Sequence, residues 1–409
     1  MTSLHGGYRP RPERLALKRG AVDFSDDDGV AAIMKLVAGA ELPPVGETAG
    51  DPFVGITTDG QPLTDLFTLA DEGAPTERAV HNARGYLDQL TAEQQALGVL
   101  PVDATEWRVW SNAFLTFPEH GLLLQELPGP VQDAALSVIE ATVSPEGYAL
   151  MREAMRLNAD LGKLVGKYPD TLTEYCYRFT LFGEPSLQQP WGWQLAGHHI
   201  DLHAVFIGGQ LVLTPTFLGV EFGGEAVFSD HRERAREFME SLSAAQRDRA
   251  LLYGSMLSAD LPPELSGIVD GRHRAAAGRD NRVLPYVGLA GDLLTPGQRE
   301  LLLSLTDPYL ENLPPEPRAH RRDQIERFLG DTHLGWIGTW DPHAPFYYRV
   351  HSPVVLIEYD NHAGIFLDND EPEPYHVHTI VRTPNGGDYG KDLLRQHYAH
   401  QHQHQHPHT

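Results

Sequence analysis

The chain has 409 residues, 41% of them hydrophobic, which is enough apolar material for one large packed body or two to three smaller ones. Lys and Arg number 32 against 56 Asp and Glu, a net charge of -24. So acidic a surface repels phosphate backbones and anionic headgroups, which removes nucleic acid and membrane from the expected partners and leaves a small-molecule substrate; the composition is silent on oligomeric state.

Residues 1–75 are rich in Gly, Pro, Asp and Thr and read as an extended N-terminal arm, with a short helix over 29–42 where Val30, Ile33, Met34, Leu36 and Val37 recur. Met1 to Phe24 lacks the apolar core of a signal peptide, and no run reaches the roughly 18 apolar residues of a membrane span, so a cytoplasmic location is expected. Residues 76–395 read as a single body. Helical periodicity covers 75–96 and 128–165. Strand-like runs follow at 175–181, 193–207 and 210–218, with Gly208-Gly209 as a two-residue hairpin turn and Pro215 ending the second arm, because proline cannot donate to a ladder. The one cysteine, Cys176, excludes an intrachain disulfide and a cysteine-based zinc knuckle.

Helices are expected next at 231–253, 295–313 and 318–329, then strands at 336–340, 346–351, 354–359 and 375–381, spaced for an antiparallel meander. The pattern Leu-Ser/Thr-x-x-Gln at Leu90, Leu242 and Leu294 predicts three helix starts closed by capping boxes. The fold class is α+β: a central, largely antiparallel sheet built from two strand blocks and flanked by helices. Residues 396–409 carry six histidines alternating with Gln and read as a disordered tail with compositional affinity for metal.

The chemistry concentrates in two histidine groups. In Tyr375-His376-Val377-His378-Thr379-Ile380-Val381-Arg382 the two imidazoles leave one face of a strand about 7 Å apart, close enough to converge on one ion. In Gly197-His198-His199-Ile200-Asp201-Leu202-His203, alternation puts His199, Asp201 and His203 on one face and His198, Ile200, Leu202, Ala204 and Phe206 on an apolar one. His199 is therefore the expected ligand. His203 lies about 13 Å further along, and His198 turns to the site only if a bulge at Gly197 re-aims it. Glu358 shares a face with Val354 and Leu356, where a carboxylate must be paired or bind an ion.

His199, His376, His378 and Glu358 are thus the candidate ligands of a divalent transition metal, with Zn, Fe and Cu not distinguished. Arg382, Glu358 and His198 are the candidate catalytic groups, Arg382 as a bidentate clamp on a substrate anion. Trp191, Trp193, Tyr389 and Lys391 are candidates for holding substrate. Each has a plain structural alternative: cross-strand hydrogen bonding for the histidines, salt bridges for Glu358, Arg382 and Lys391, and core packing for the tryptophans. The chain carries no P-loop, no G-x-G-x-x-G after a strand, no G-x-S-x-G and no H-E-x-x-H, so no nucleotide cofactor is expected.

Several pieces occur together and in order: Trp107 to Asn112, Phe182-Gly183-Glu184-Pro185, Trp191-Gly192-Trp193-Gln194, Gly197-His198-His199, Thr214 to Gly219, Ile357-Glu358, His376-Val377-His378-Thr379 with Arg382, and Asp388-Tyr389-Gly390-Lys391. In this the chain resembles the domain of unknown function 3500 (DUF3500) family over roughly residues 85–395. The resemblance implies homology and no particular chemistry; His203 and the histidines after Lys391 fall outside the family's pattern. The expectation from the residues is a metal-dependent enzyme on a small organic molecule, oxidation slightly ahead of hydrolysis. A binding protein without turnover and a metal-free acid/base enzyme are the alternatives.

Overall fold

The computed structural model describes residues 48–113, 118–166, 168–267, 270–367 and 371–405, with side chains as far as 400. The helix expected over 29–42 lies outside them. All three capping boxes form: the hydroxyls of Thr91, Ser243 and Thr295 accept from the amides of Gln94, Gln246 and Gln298, whose side chains return to the cap amides. These caps also divide what periodicity alone reads as continuous helix. Residues 75–96 become α1 (Thr76–Leu87) and α2 (Ala92–Gly98). Ser144, capping the amide of Gly147 ahead of Pro145, likewise separates α3 (Gly129–Thr142) from α4 (Pro145–Val165).

After a short α5 (Gly224–Val227), the helix expected at 231–253 is α6 (Ser229–Ser241) and α7 (Ala244–Ala250), because the Ser243 cap starts a new helix; Leu251–Tyr253 then extends as a strand. Then come α8 (Pro296–Leu310), α9 (Pro315–Arg327) and α10 (Lys391–Gln405). The backbone of α10 runs to Gln405, into the stretch expected to be disordered from 396. Its middle is tied down by Gln396, which donates to Phe67 O at 2.9 Å and Asp392 Oδ2 at 2.8 Å.

The strands are β1 (Val99–Leu100), β2 (Leu122–Leu123), β3 (Tyr177–Phe182), β4 (Trp191–Gly197), β5 (Ile200–Ile207), β6 (Gln210–Val212), β7 (Thr216–Val220), β8 (Leu251–Tyr253), β9 (Leu289–Ala290), β10 (His333–Gly338), β11 (Phe346–His351), β12 (Leu356–Asn361) and β13 (Val377–Arg382). They form one mixed, mostly antiparallel sheet in the order β1-β3-β4-β5-β7-β13-β12-β11-β10-β8, with β2, β6 and β9 added beside β3, β5 and β10. Only β1 with β3 and β8 with β10 run parallel among the described pairs. The two strand blocks meet in the pairing of β7 with β13. One correction matters for the site. Residues 193–207 are not one strand but a hairpin, β4 and β5, whose two-residue turn is His198-His199.

Cross-strand partners share a face, so the register sorts the sheet into two sides. One side is apolar. Ile200, Leu218, Tyr359, Tyr348 and Trp336 belong to the main core together with Met155 of α4, Phe238 of α6 and Leu305 of α8. The other side is polar and equally buried, in three rows. Gly219, His378, Asp360 and Tyr347 stand in the first. Ala196, Asp201, Phe217, Ile380, Glu358 and Arg349 make the second. Gln194 faces His203 at one end of the third, and Arg382, Leu356 and His351 follow at the other. Glu358, Asp360 and Arg382 are each 0% exposed. Ala196, Phe217 and Ile380 of the middle row pack with Trp110 and Ala276 into an apolar divider between the outer rows.

Removing one cap tests whether the boxes set the helix starts. Thr295→Ala should lower stability by about 1 kcal/mol in urea unfolding with an unchanged m-value. A change below about 0.3 kcal/mol would show the cap to be redundant with the packing of α8.

Candidate metal centre

The turn between β4 and β5 holds His199 in the left-handed region, φ +65°. A histidine with positive φ is uncommon and costs backbone strain, which tertiary contacts must offset. Here the amide of His199 bonds Asn112 O at 3.3 Å and its carbonyl accepts from Gly219 at 2.8 Å. Its ring is backed by His198, whose centroid lies 3.9 Å away. His198 is itself fixed: Nδ1 bonds Asn158 Oδ1 of α4 at 2.7 Å, and its carbonyl accepts from Tyr177 Oη at 3.2 Å.

Gly219 faces this turn from β7, and a Cβ there would stand 3.0 Å from Cδ2 of His378 and 3.4 Å from Cδ2 of His199. The glycine leaves the room in which the two rings meet. His376 reaches the same point from the residue before β13. Its Nε2 lies 3.3 Å from Nε2 of His199 and 3.0 Å from Nε2 of His378. These three are the one group of histidines, cysteines or carboxylates among the described residues whose ligand atoms all lie within 4.8 Å of one another.

Each Nε2 offers one site, either a proton or a lone pair. A lone pair on His376 can be shared between protons on His199 and His378, or its proton between their lone pairs, and a cation can take the same central place. Metal–nitrogen bonds of about 2.0–2.1 Å at angles between octahedral and tetrahedral would set nitrogens about 2.8–3.4 Å apart, a range that includes both contacts. The electrostatics agree. Burial, then repulsion among the neighbouring imidazoles, holds His199, His376 and His378 well below the usual histidine range, so all three are neutral and their lone pairs free for a metal.

Two carboxylate–histidine pairs stand beside the triad. His273 Nδ1 lies 3.5 Å from Glu358 Oε2, with its ring stacked 6.1 Å from that of His378. His362 Nδ1 lies 3.7 Å from Asp360 Oδ2, and its ring centroid is 4.7 Å from that of His378. Burial alone would raise the pKa of Glu358, but His273, Arg349 and Tyr347 hold it down to about 2. Gly271 (φ +56°) makes the second pair attainable, since a Cβ there would stand 2.2 Å from Asp360 Oδ2.

Glu358 shares the polar face but is not one of the converging ligands. Its oxygens accept from the amides of Arg274 and Ala275 at 2.9–3.0 Å and from Tyr347 Oη at 2.6 Å. Arg382 stands two rows off: Nε bonds Asp388 at 2.7 Å, and the terminal nitrogens bond Asp280 at 2.5 Å and Ala275 O at 2.9 Å. Tyr389 belongs to that same network, between Trp110 Nε1 at 2.9 Å and Asp280 at 3.0 Å. Lys391 starts α10, half-buried, and burial lowers its pKa. Trp191 and Trp193 lie in the apolar core, Trp191 stacked on Phe206 and Trp193 donating to Thr142 at 2.9 Å.

The structure therefore brings His199, His376 and His378 together with His198 behind them, and leaves Arg382, Tyr389, Lys391 and the two tryptophans elsewhere. His273, His362 and Asp360 were missed by sequence reasoning. Asp360 had a signal, since it alternates with Glu358 on β12; the other two sit outside any periodic element.

A family model described as "Protein of unknown function (DUF3500)" matches residues 72–391. No curated protein and no solved structure matches the chain. No helix among the described residues is long and apolar enough to cross a membrane.

The third row yields a prediction. Burial pulls His203 down to about 3. The unfolded chain therefore takes up a proton below the ordinary histidine value near 6.5 that the folded chain refuses, so stability falls as pH drops from about 6.5 toward 3. His203→Gln should lessen that fall by about 1.4 kcal/mol per pH unit around pH 5 in urea titrations. An unchanged slope would mean that His203 is protonated in the fold.

Proposed function

The chain belongs to the DUF3500 family, whose description assigns no chemistry, and from the site itself we propose that His199, His376 and His378 hold one divalent transition metal ion in a metal-dependent enzyme acting on a small organic molecule. The carrying observation is the convergence of three buried Nε2 atoms, with His376 3.3 Å from His199 and 3.0 Å from His378, separations that fit imidazoles sharing one ion. An ion there supplies Lewis acidity, polarising a substrate oxygen or lowering the pKa of a coordinated water.

The chain's own groups have separate tasks in this reading. His199, His376 and His378 would hold the ion with three imidazoles, the donor set of a catalytic zinc centre. Facial-triad iron chemistry needs a carboxylate ligand, and Glu358 is occupied by two amides and a tyrosine hydroxyl. The donor set thus favours hydrolysis or hydration over oxidation, to which the lack of a second-metal cluster or separate general base in the sequence gives a slight edge. His198, anchored by Asn158, fixes the ring of His199. His273, oriented by Glu358, is the imidazole placed to accept a proton beside the ion.

Elemental analysis tests this in the full-length chain with its six tail histidines changed to Gln, which removes the competing compositional affinity. About one equivalent of Zn, Fe or Cu per chain is expected, falling at least tenfold in His376→Ala while the circular dichroism spectrum is kept. Absence of metal from the tail-substituted protein after growth with each ion would overturn the reading, as would stoichiometric metal retained by His376→Ala.

A further inference from the structure

On the opposite side of the sheet, the segment 66–72, the strands β6 and β7 and the helices α8 and α9 line a partly open cavity of about 240 Å³. Its polar lining is unlike the rest of this acidic chain. Arg321, Arg327 and His320 contribute to the walls against one acid, Glu72, which is bonded to Gln210 at 2.8 Å. Six leucines, Phe67, Val212 and Val381 share most of the remainder with four threonines, Asn312 and Gln324.

Arg321 is the anomaly. Its terminal nitrogens bond Val354 O at 2.7 Å, Thr383 Oγ1 at 3.0 Å and Gln324 Oε1, all neutral acceptors. Among the described residues no carboxylate lies within ion-pair distance of it. Burial pulls its pKa down to about 10, an effect that the charges of Asp388 and Glu72 offset only in part. A guanidinium carries five N–H donors, so the three bonds leave two unmatched among the described residues on a half-buried side chain that lines the cavity. A cation held by neutral groups, with donors to spare and a chamber of mixed leucine and threonine walls in front of it, is the arrangement that recognises an anion with an apolar body.

We propose that this cavity binds a small organic monoanion, a carboxylate on a short apolar body, with its charge on Arg321. The volume limits the body: it falls below the roughly 300 Å³ at which sites for drug-sized ligands begin. Val381 lines this cavity while Arg382, its chain neighbour, faces the polar side, so the site is separate from the histidine centre and does not rest on it.

The test is calorimetric titration of the full chain, freed of metal by chelation so that a carboxylate cannot report ligation at the histidines instead. Hexanoate and hexan-1-ol are the probes. Hexanoate should bind with one site per chain and hexanol at least tenfold more weakly; Arg321→Gln should weaken hexanoate at least tenfold and leave hexanol unchanged. Ala70→Trp, at an exposed lining position, narrows the cavity without touching the guanidinium and should also abolish hexanoate binding, which decides the matter if Arg321→Gln does not fold. Equal affinity for the two probes, hexanoate binding unaltered in the variants, or no hexanoate binding at millimolar concentration would each overturn the proposal.

Discussion

The antiparallel pairing of β7 with β13 is the contact on which everything else depends. It joins the two strand blocks into one sheet, and its register sets His378 opposite Gly219, whose amide in turn holds the carbonyl of His199. Residues 177 positions apart in sequence thereby present their Nε2 atoms to one another. A slip of one residue would turn His378 to the apolar side and replace it with Val377 or Thr379. The alternation of polar and apolar side chains along β13 makes that slip costly, because it would carry Arg382 into the core.

The sheet is unusual in burying a polar face as completely as its apolar one. Burying charges is unfavourable unless each is paired and hydrogen-bonded. The third row meets that condition with a closed network, in which Arg382 and Arg108 share Asp280 and Asp388 supports Arg382. Glu358 meets it with amides and a hydroxyl. In the first row Asp360 meets it with Arg272, whose Nη1 lies 3.3 Å from both carboxylate oxygens, while the three imidazoles beside it are neutral. The divider of Phe217, Ile380, Trp110 and Ala276 separates these two solutions, keeping the charges of the third row away from the histidines.

What the sequence made legible follows from the range of each interaction. The caps at Thr91, Ser243 and Thr295 are local, and they form as written. The His376-x-His378 pair and the meander around it are also short-range and periodic. His199 was singled out for a reason that does not hold: alternation assumed a continuous strand, whereas the residue stands in a turn lacking the Asn-Gly or Asp-Gly signature by which such turns are recognised. Apart from Tyr347 and Asp388, the partners of Glu358 and Arg382 come from residues 273–280, an irregular segment with no period to read, so a buried carboxylate could be identified but not the groups that donate to it. Trp191 and Trp193 were legible as large buried rings, but the side of the sheet they occupy depends on the position of that same turn.

The most direct measurement is X-ray absorption at the metal edge of the full-length protein with its tail histidines changed to Gln. The account predicts about three imidazole nitrogens at roughly 2.0–2.1 Å, with outer-shell scattering from the rings, and light scatterers filling the remaining positions. A first shell with no imidazole scattering, or a carboxylate-dominated one, would contradict it.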